Sequence, residues 1–452
     1  MKVKNQMLHL IRIWKKFLVI AGLFSISNSV SKMSYTKVVI IGGGFGGLNV
    51  AKSLKKAKLD VLLIDKTNHH LFQPLLYEVA TAALSPGDIA TPLREILRNQ
   101  ENTTVIMGEV TQIDKKNKQI TISNGDLIGY DYLVIAIGAR HSYFGRDDWE
   151  RYAPGLKTIN DALKIREQVL ISFEKAERLD SMAEAAKYLN FVVIGGGPTG
   201  VEMAGAIAEI ANKTMFKNFR RIRPEESKIY LIEALPQILP MYPDALAKKA
   251  TKQLEQMGVK VMTGKKVTEI HEGGVQIEGM FIDSMNVIWA AGNQVSPLLK
   301  SLDIPLDRAG RVMVGPDLSI PDHPEIFVIG DAANLAGKEG KPLPGVAPVA
   351  MQQGRYVAKI IKKEIPKEQR EPFAYFDKGS MATIGKAKAI AMFGKLQFSG
   401  FFAWLMWAFV HIMFLIGFRN RLGVMLEWGA MMVTGERGVR LINRPIDSPK
   451  KS

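Results

Sequence analysis

The first strongly apolar run, Val38-Val-Ile-Ile41, has relatives at Val61-Leu-Leu-Ile-Asp65, Phe191-Val-Val-Ile194 and Ile229-Tyr-Leu-Ile-Glu233. Short β-branched runs without polar alternation predict strands packed on both faces, as in a parallel sheet. A weaker pattern marks two small β-meanders, opened by Glu109-Val-Thr-Gln-Ile-Asp and Lys266-Val-Thr-Glu-Ile-His. They close on Tyr132-Leu-Val-Ile-Ala-Ile-Gly138 and Asn286-Val-Ile-Trp-Ala-Ala-Gly292. Between the two series, residues 158–179 have a helical pattern. Gly42 to Gly138 and Gly195 to Gly292 are both separated by about 96 residues, the signature of an internal repeat.

The turn after the first strand of each copy carries Gly42-x-Gly44-x-x-Gly47 and Gly195-x-Gly197-x-x-Gly200, and opens a helix-like stretch. Side chains at these positions would block the approach of a pyrophosphate to the free N–H groups of a helix N-terminus. A lone motif of this kind also fits a ligand-free strand-to-helix turn, but the second copy argues against coincidence. Each copy also ends its second strand in an acid, Asp65 and Glu233, placed to accept from a ribose hydroxyl. A basic insertion, 212–226, lengthens the spacing in the second copy. The carboxylate of Glu233 would repel a 2′-phosphate, so the second site should prefer NADH to NADPH. The predicted fold is therefore α/β, with two Rossmann-like dinucleotide-binding domains.

The run Ile326-Phe-Val-Ile-Gly330-Asp331 suits a strand returning to the first sheet, with Asp331 reaching a cofactor hydroxyl. The second, NADH-binding domain would then be inserted within the first. The expected order is an N-terminal extension (1–33), the first part of the first domain (34–157), a connector helix and the second domain (158–295), the return (296–372) and a C-terminal region (373–452). In that last region 380–393 resembles a β-hairpin, and 398–418 contains no Asp, Glu, Lys or Arg. At 1.5 Å per residue the charge-free stretch reaches about 30 Å, enough to span a bilayer. A single crossing from a cytoplasmic body would leave Arg419 and Arg421 outside, against the positive-inside bias. Attachment in the membrane plane, or a re-entrant pair with 424–433, avoids that conflict. A buried core or dimer helix is a third reading and leaves a homodimer open. The extension, with Lys15-Lys16 before an apolar run and Met33 just ahead of the first strand, fits an over-long start or a disordered extension, an auxiliary membrane contact or a signal peptide.

Composition narrows the chemistry. The chain of 452 residues has no cysteine, which removes disulfide exchange, zinc–thiolate and iron–sulfur sites, and no metal site is read elsewhere. Its net charge of +16 is dispersed and accompanied by no nucleic-acid motif, so a solvated surface or attraction to anionic lipid is expected rather than nucleic acid.

Taken with Asn68-His-His-Leu-Phe-Gln-Pro-Leu-Leu-Tyr77-Glu-Val-Ala80, Gly195-Gly-Gly-Pro-Thr-Gly-Val-Glu202 and Ala347-Pro-Val-Ala-Met-Gln-Gln-Gly354, these motifs make the sequence resemble the type II NADH:quinone oxidoreductases across about 37–443. The resemblance implies FAD at the first fingerprint (Gly42, Gly44, Gly47, Asp65, Gly138, Gly330, Asp331), with His69, His70, Phe72 and Gln73 on a loop against it. It implies NADH at the second (Gly195, Gly197, Gly200, Glu233, Gly292), and electron transfer to a membrane quinone without proton pumping. It further implies monotopic attachment to the lipid surface on the cytoplasmic face of the inner membrane. Glu202 matches a glutamate near flavin and nicotinamide, and Gln352 the second glutamine of the quinone motif AQxxxQ. Pro348 replaces the first glutamine, a departure that removes a side-chain hydrogen bond to the headgroup. Lys378 or Lys386 would assist protonation of the quinone. Each residue also has a plainer reading: a helix-start carboxylate for Glu202, surface loop for the histidines, helix packing for Gln352.

Disulfide reductases and sulfide:quinone oxidoreductases share the two-domain plan but need cysteines. The alternatives left open are an NADH-dependent reductase of a soluble carrier or of oxygen, and a membrane-bound NADH-binding sensor.

Overall fold

The computed structural model describes residues 35–337, 340–443 and 446; the N-terminal extension 1–33 lies outside the described residues. Two parallel sheets carry the repeat. The first orders strands Ser319–Ile320, His323–Val328, Tyr132–Ile135, Thr36–Ile41, Leu59–Asp65 and Thr103–Met107, parallel except for the short outer pair. The second orders Val259–Thr263, Lys228–Glu233, Asn190–Ile194 and Asn286–Trp289. Successive residues of the central strands feed opposite cores: Val38 and Ile40 join one cluster, Val39 and Ile41 another. Burial on both faces is why these segments read as unbroken apolar runs. The late strand His323–Val328 pairs in parallel with Tyr132–Ile135 and so returns the chain to the first sheet.

The helices that position the site are α1 (Phe45–Ser53), α2 (Ile159–Glu177), α3 (Pro198–Glu209), α4 (Ala347–Lys363), α5 (Phe401–Phe414) and α6 (Phe418–Thr434). Thr158 caps α2 with its hydroxyl and receives the reciprocal contact from Asp161, which fixes the connector's start. A third, antiparallel sheet (Ser380–Gly385, Lys388–Phe393, Leu396–Gly400) lies on α3. Gly205 permits this contact, because a Cβ there would sit 1.9 Å from the Ile384 carbonyl oxygen.

The charge-free stretch 398–418 is not one helix. Its first residues end a strand, α5 stops at Phe414, and α6 begins at Phe418 after a turn. Gly400 and Gly417 make the two bends at φ 84° and 91°, a region open to glycine. The length of α5 is about 21 Å against a hydrocarbon thickness of about 30 Å. No helix among the described residues is long and apolar enough to cross a membrane, which corrects the single-span reading. Ala403, Trp407, Val424 and Trp428 point into the core shared with α3, whereas Phe402, Leu405, Phe409, Phe418 and Leu426 are exposed. Each helix therefore has apolar residues both inside and out.

Candidate active site

In both fingerprints the three glycines do different work. Gly42 and Gly195 turn at φ 101° and 110°, and a Cβ would meet Ala136 O at 2.4 Å or the Ala290 carbonyl carbon at 2.8 Å. Gly47 and Gly200 let α1 and α3 dock, since a Cβ would lie 1.9 and 1.8 Å from the carbonyl oxygens of Gly42 and Gly195. Gly44 and Gly197 face open space and cap their helices without any side-chain hydrogen bond. The first N–H groups of α1 and α3 are thus left for an anion, which fits the pyrophosphate of FAD and of NADH.

The acids stand beside these cradles. Asp65 Oδ2 accepts from Gly43 N at 2.6 Å, while Oδ1 accepts from the Thr67 amide and hydroxyl. Glu233 Oε2 accepts from Gly196 N at 2.6 Å and Oε1 from Leu235 N at 2.8 Å. Each carboxylate retains lone pairs for a ribose hydroxyl. Gly138 and Gly292, both left-handed, follow the closing strands. Gly330 and Asp331 form a short turn at the end of the returning strand, and Asp331 is half-buried.

The loop 68–80 divides its two histidines. His70 is buried and its Nδ1 donates to Gly43 O at 2.9 Å, in the tautomer a carbonyl requires. Burial holds its pKa below the usual histidine value. His69 turns instead to Asn68 Oδ1 at 3.1 Å, and Gln73 opens a single 3₁₀ turn. Phe72 is buried edge-on to Phe45 of α1 (6.0 Å) and to His411 of α5 (6.1 Å). His411 lies 4.4 Å from Trp407, which lies 5.1 Å from Trp428. A continuous run of rings thus joins the first fingerprint to the C-terminal helices. Burial lowers the pKa of His411 to about 4, so the ring is neutral.

A cavity opens where α3, the 68–80 loop, the third sheet, α5 and α6 meet, and Glu202 and Glu78 line it. Glu202 is half-buried, and burial pushes its carboxyl well above the ordinary range. Glu78, not anticipated from sequence, accepts from Tyr77 Oη at 2.9 Å and from Trp428 Nε1 at 2.7 Å. Arg437, also unanticipated, is 5% exposed. It donates to the Thr81 carbonyl and hydroxyl and pairs with Glu209 at 3.0 Å, tying both nucleotide units to the segment after α6.

The adjacent glutamines of α4 part company. Gln353 is buried and accepts from Gly330 N at 2.6 Å, holding the turn that presents Asp331. Gln352 instead binds the Phe376 backbone both ways, donating at 2.9 Å and accepting at 3.0 Å. Lys378 is exposed nearby, and Lys386 donates to the Met431 and Met432 carbonyls at the end of α6. The buried phase of α4 (349, 350, 353, 354, 357) was the available signal for Gln353.

The pattern of the pyridine nucleotide-disulphide oxidoreductase family matches residues 36–354, and that of the NDH2 C-terminal domain matches 378–436. The type II NADH:quinone oxidoreductase Ndh of Mycobacterium tuberculosis is 44% identical over 420 residues, covering 89% of each chain. That of Staphylococcus haemolyticus is 30% identical, covering 77% of this chain and 87% of its own. In fold, NDH2 from Plasmodium falciparum in complex with RYL-552 superposes with a TM-score of 0.82 at 23% identity, covering 90% of this chain and 99% of that one. With 44% identity across nine-tenths of its length and both family patterns in place, this chain belongs to the type II NADH:quinone oxidoreductase family.

Proposed function

We propose that FAD lies along the first fingerprint and NADH along the second, and that the quinone approaches from the side covered by α5 and α6. The chain is an FAD-dependent NADH:quinone oxidoreductase that pumps no protons. Bound there, FAD would supply the two-electron chemistry that links NADH to the quinone. The protein's residues hold the reactants in order. In this reading Asp65 and Asp331 take FAD hydroxyls, Gln353 steadies Asp331, and Glu233 takes the ribose of NADH. Glu202, just beyond the third glycine of the NADH cradle, handles protons between the two sites. Gln352 fixes the backbone at Phe376 on the quinone side, with the Lys378 ammonium two residues on.

One observation carries this arrangement: Phe72, from the loop read as lying against FAD, meets His411 on α5, the helix that also exposes Phe402, Leu405 and Phe409. The exposed apolar faces of α5 and α6 lie in the membrane interface, monotopically, on the cytoplasmic face where NADH is present. The test places Lys at Leu405, Phe409 and Leu426 together. Membrane pelleting and reduction of membrane-embedded quinone should fall sharply, while a water-soluble short-chain quinone is still reduced. Retained pelleting would refute the attachment. Retained pelleting with a change from dimer to monomer would assign these faces to a homodimer instead.

A further inference from the structure

The cavity between the NADH cradle and the C-terminal helices contains a carboxyl group that the roles above leave unused. Glu78 is 6% exposed, yet among the described residues no Lys, Arg or His forms an ion pair with it; the Arg437 charge acts on it only across the cavity. The groups that donate to it among the described residues, the Tyr77 hydroxyl and the Trp428 indole, are neutral. Arg437 lines the same cavity but directs its donors to Thr81, Ala206 and Glu209. The other charged groups facing the space are Glu202 and Glu209 from α3 and Lys386 from the turn of the third sheet; α5 and α6 contribute tryptophans and methionines. The Lys386 ammonium is occupied by the carbonyls at the end of α6.

This setting makes Glu78 a group that changes charge near neutrality. Burial pushes it up to about 7 against the opposing pull of its two donors and of the Arg437 charge, with the Glu209 carboxylate adding a smaller push upward. Burial likewise raises Glu202, and the charge of Glu78 raises it further. Two carboxyls lining one poorly hydrated cavity resist joint ionisation, which favours keeping one of them protonated.

The overall reaction needs such a proton: NADH + H⁺ + quinone gives NAD⁺ + quinol. NADH brings two electrons and one proton as hydride, and the second proton must come from solvent. We propose that Glu78 stores this proton and passes it through Glu202 to the quinone oxygen as the two electrons arrive. The Glu78 O–H bond breaks, a quinol O–H bond forms, and the resulting carboxylate is held by Tyr77 and Trp428 until solvent reprotonates it. The inference rests on the role of Glu202 proposed above.

The acid form is the active one, so quinone reduction should slow as pH rises through about 7. The test mixes NADH-reduced holoenzyme with a water-soluble short-chain quinone in a stopped-flow instrument and repeats this across pH. Glu78→Gln, which keeps shape but cannot release a proton, should remove the limb near neutrality and slow the step at acid pH by about 100-fold, a typical contribution of general acid catalysis. Flavin reduction by NADH should stay close to wild type. Trp428→Phe deletes a donor that favours the carboxylate, so it should shift the limb to higher pH, an effect no purely structural role would produce. A limb that persists in Glu78→Gln, or that does not move in Trp428→Phe, overturns the proposal. If Glu78→Gln does not load FAD, the position of the limb in Trp428→Phe decides alone. A wild-type flavin that NADH reduces but quinone does not reoxidise would instead sink the quinone reading itself.

Discussion

Arg437 offers the sharpest test of how the C-terminal region is held. Its guanidinium is 4% exposed at the side chain and its partner Glu209 is 13% exposed, so the pair at 3.0 Å is poorly screened. Arg437→Met keeps length and apolar bulk but leaves the Glu209 carboxylate without its cation and the Thr81 carbonyl without its donor. Removing one member of a buried pair typically costs about 3–5 kcal/mol, mostly because the other charge stays buried alone. Adding Glu209→Gln should recover part of this loss, giving a coupling of about 2 kcal/mol, within the range for residues in contact. The assay is urea unfolding of the FAD-loaded protein followed by tryptophan fluorescence, to which the buried Trp407 and Trp428 contribute. Protease sensitivity after α6 should rise in parallel. A loss below about 1 kcal/mol, the range of an exposed pair, would refute the reasoning, as would strict additivity in the double variant.

Other substitutions separate the remaining roles. Glu233→Gln keeps an acceptor for Gly196 N but removes the charge, so the NADPH-to-NADH ratio of kcat/KM should rise; an unchanged ratio takes Glu233 away from the ribose. Gly200→Ala forces a Cβ to 1.8 Å from Gly195 O, so KM for NADH should rise while FAD content holds, and a normal KM would deny the second cradle its cofactor. Gln353→Ala strands the Gly330 N–H, a cost of about 1–3 kcal/mol that should appear as weaker FAD retention. Gln352→Ala should leave FAD content intact and slow quinone reduction more than flavin reduction; equal loss in both steps would remove it from the quinone side.

What the sequence disclosed follows the range of the interactions. The fingerprints, the acids at the strand ends and the returning strand before Gly330 are local patterns set by strand burial and turn sterics, and each lies in the corresponding element. The bend between α5 and α6 was hidden because no charge interrupts 398–418; only Gly417 marks it. Gln352 and Gln353 differ by one step of helix phase, and burial on α4 decides which one meets Gly330. Glu78 and Trp428 are 350 positions apart, and Arg437 and Glu209 are 228 apart, so their partnerships exist only after the C-terminal helices pack on α3. The buried tryptophans also bear on truncation. Deleting residues from Phe398 onward would open the core around Glu78 as well as remove an anchor, so substitutions on the exposed faces test attachment more cleanly.

The central claim is that electrons from NADH pass through the bound flavin to a quinone. Anaerobic stopped-flow spectroscopy of the FAD-loaded protein tests it in two mixes. NADH should bleach the flavin absorbance, and a short-chain quinone added next should restore it with the formation of one quinol per NADH consumed. Flavin that bleaches but regains its colour only with oxygen or a protein carrier would contradict the claim.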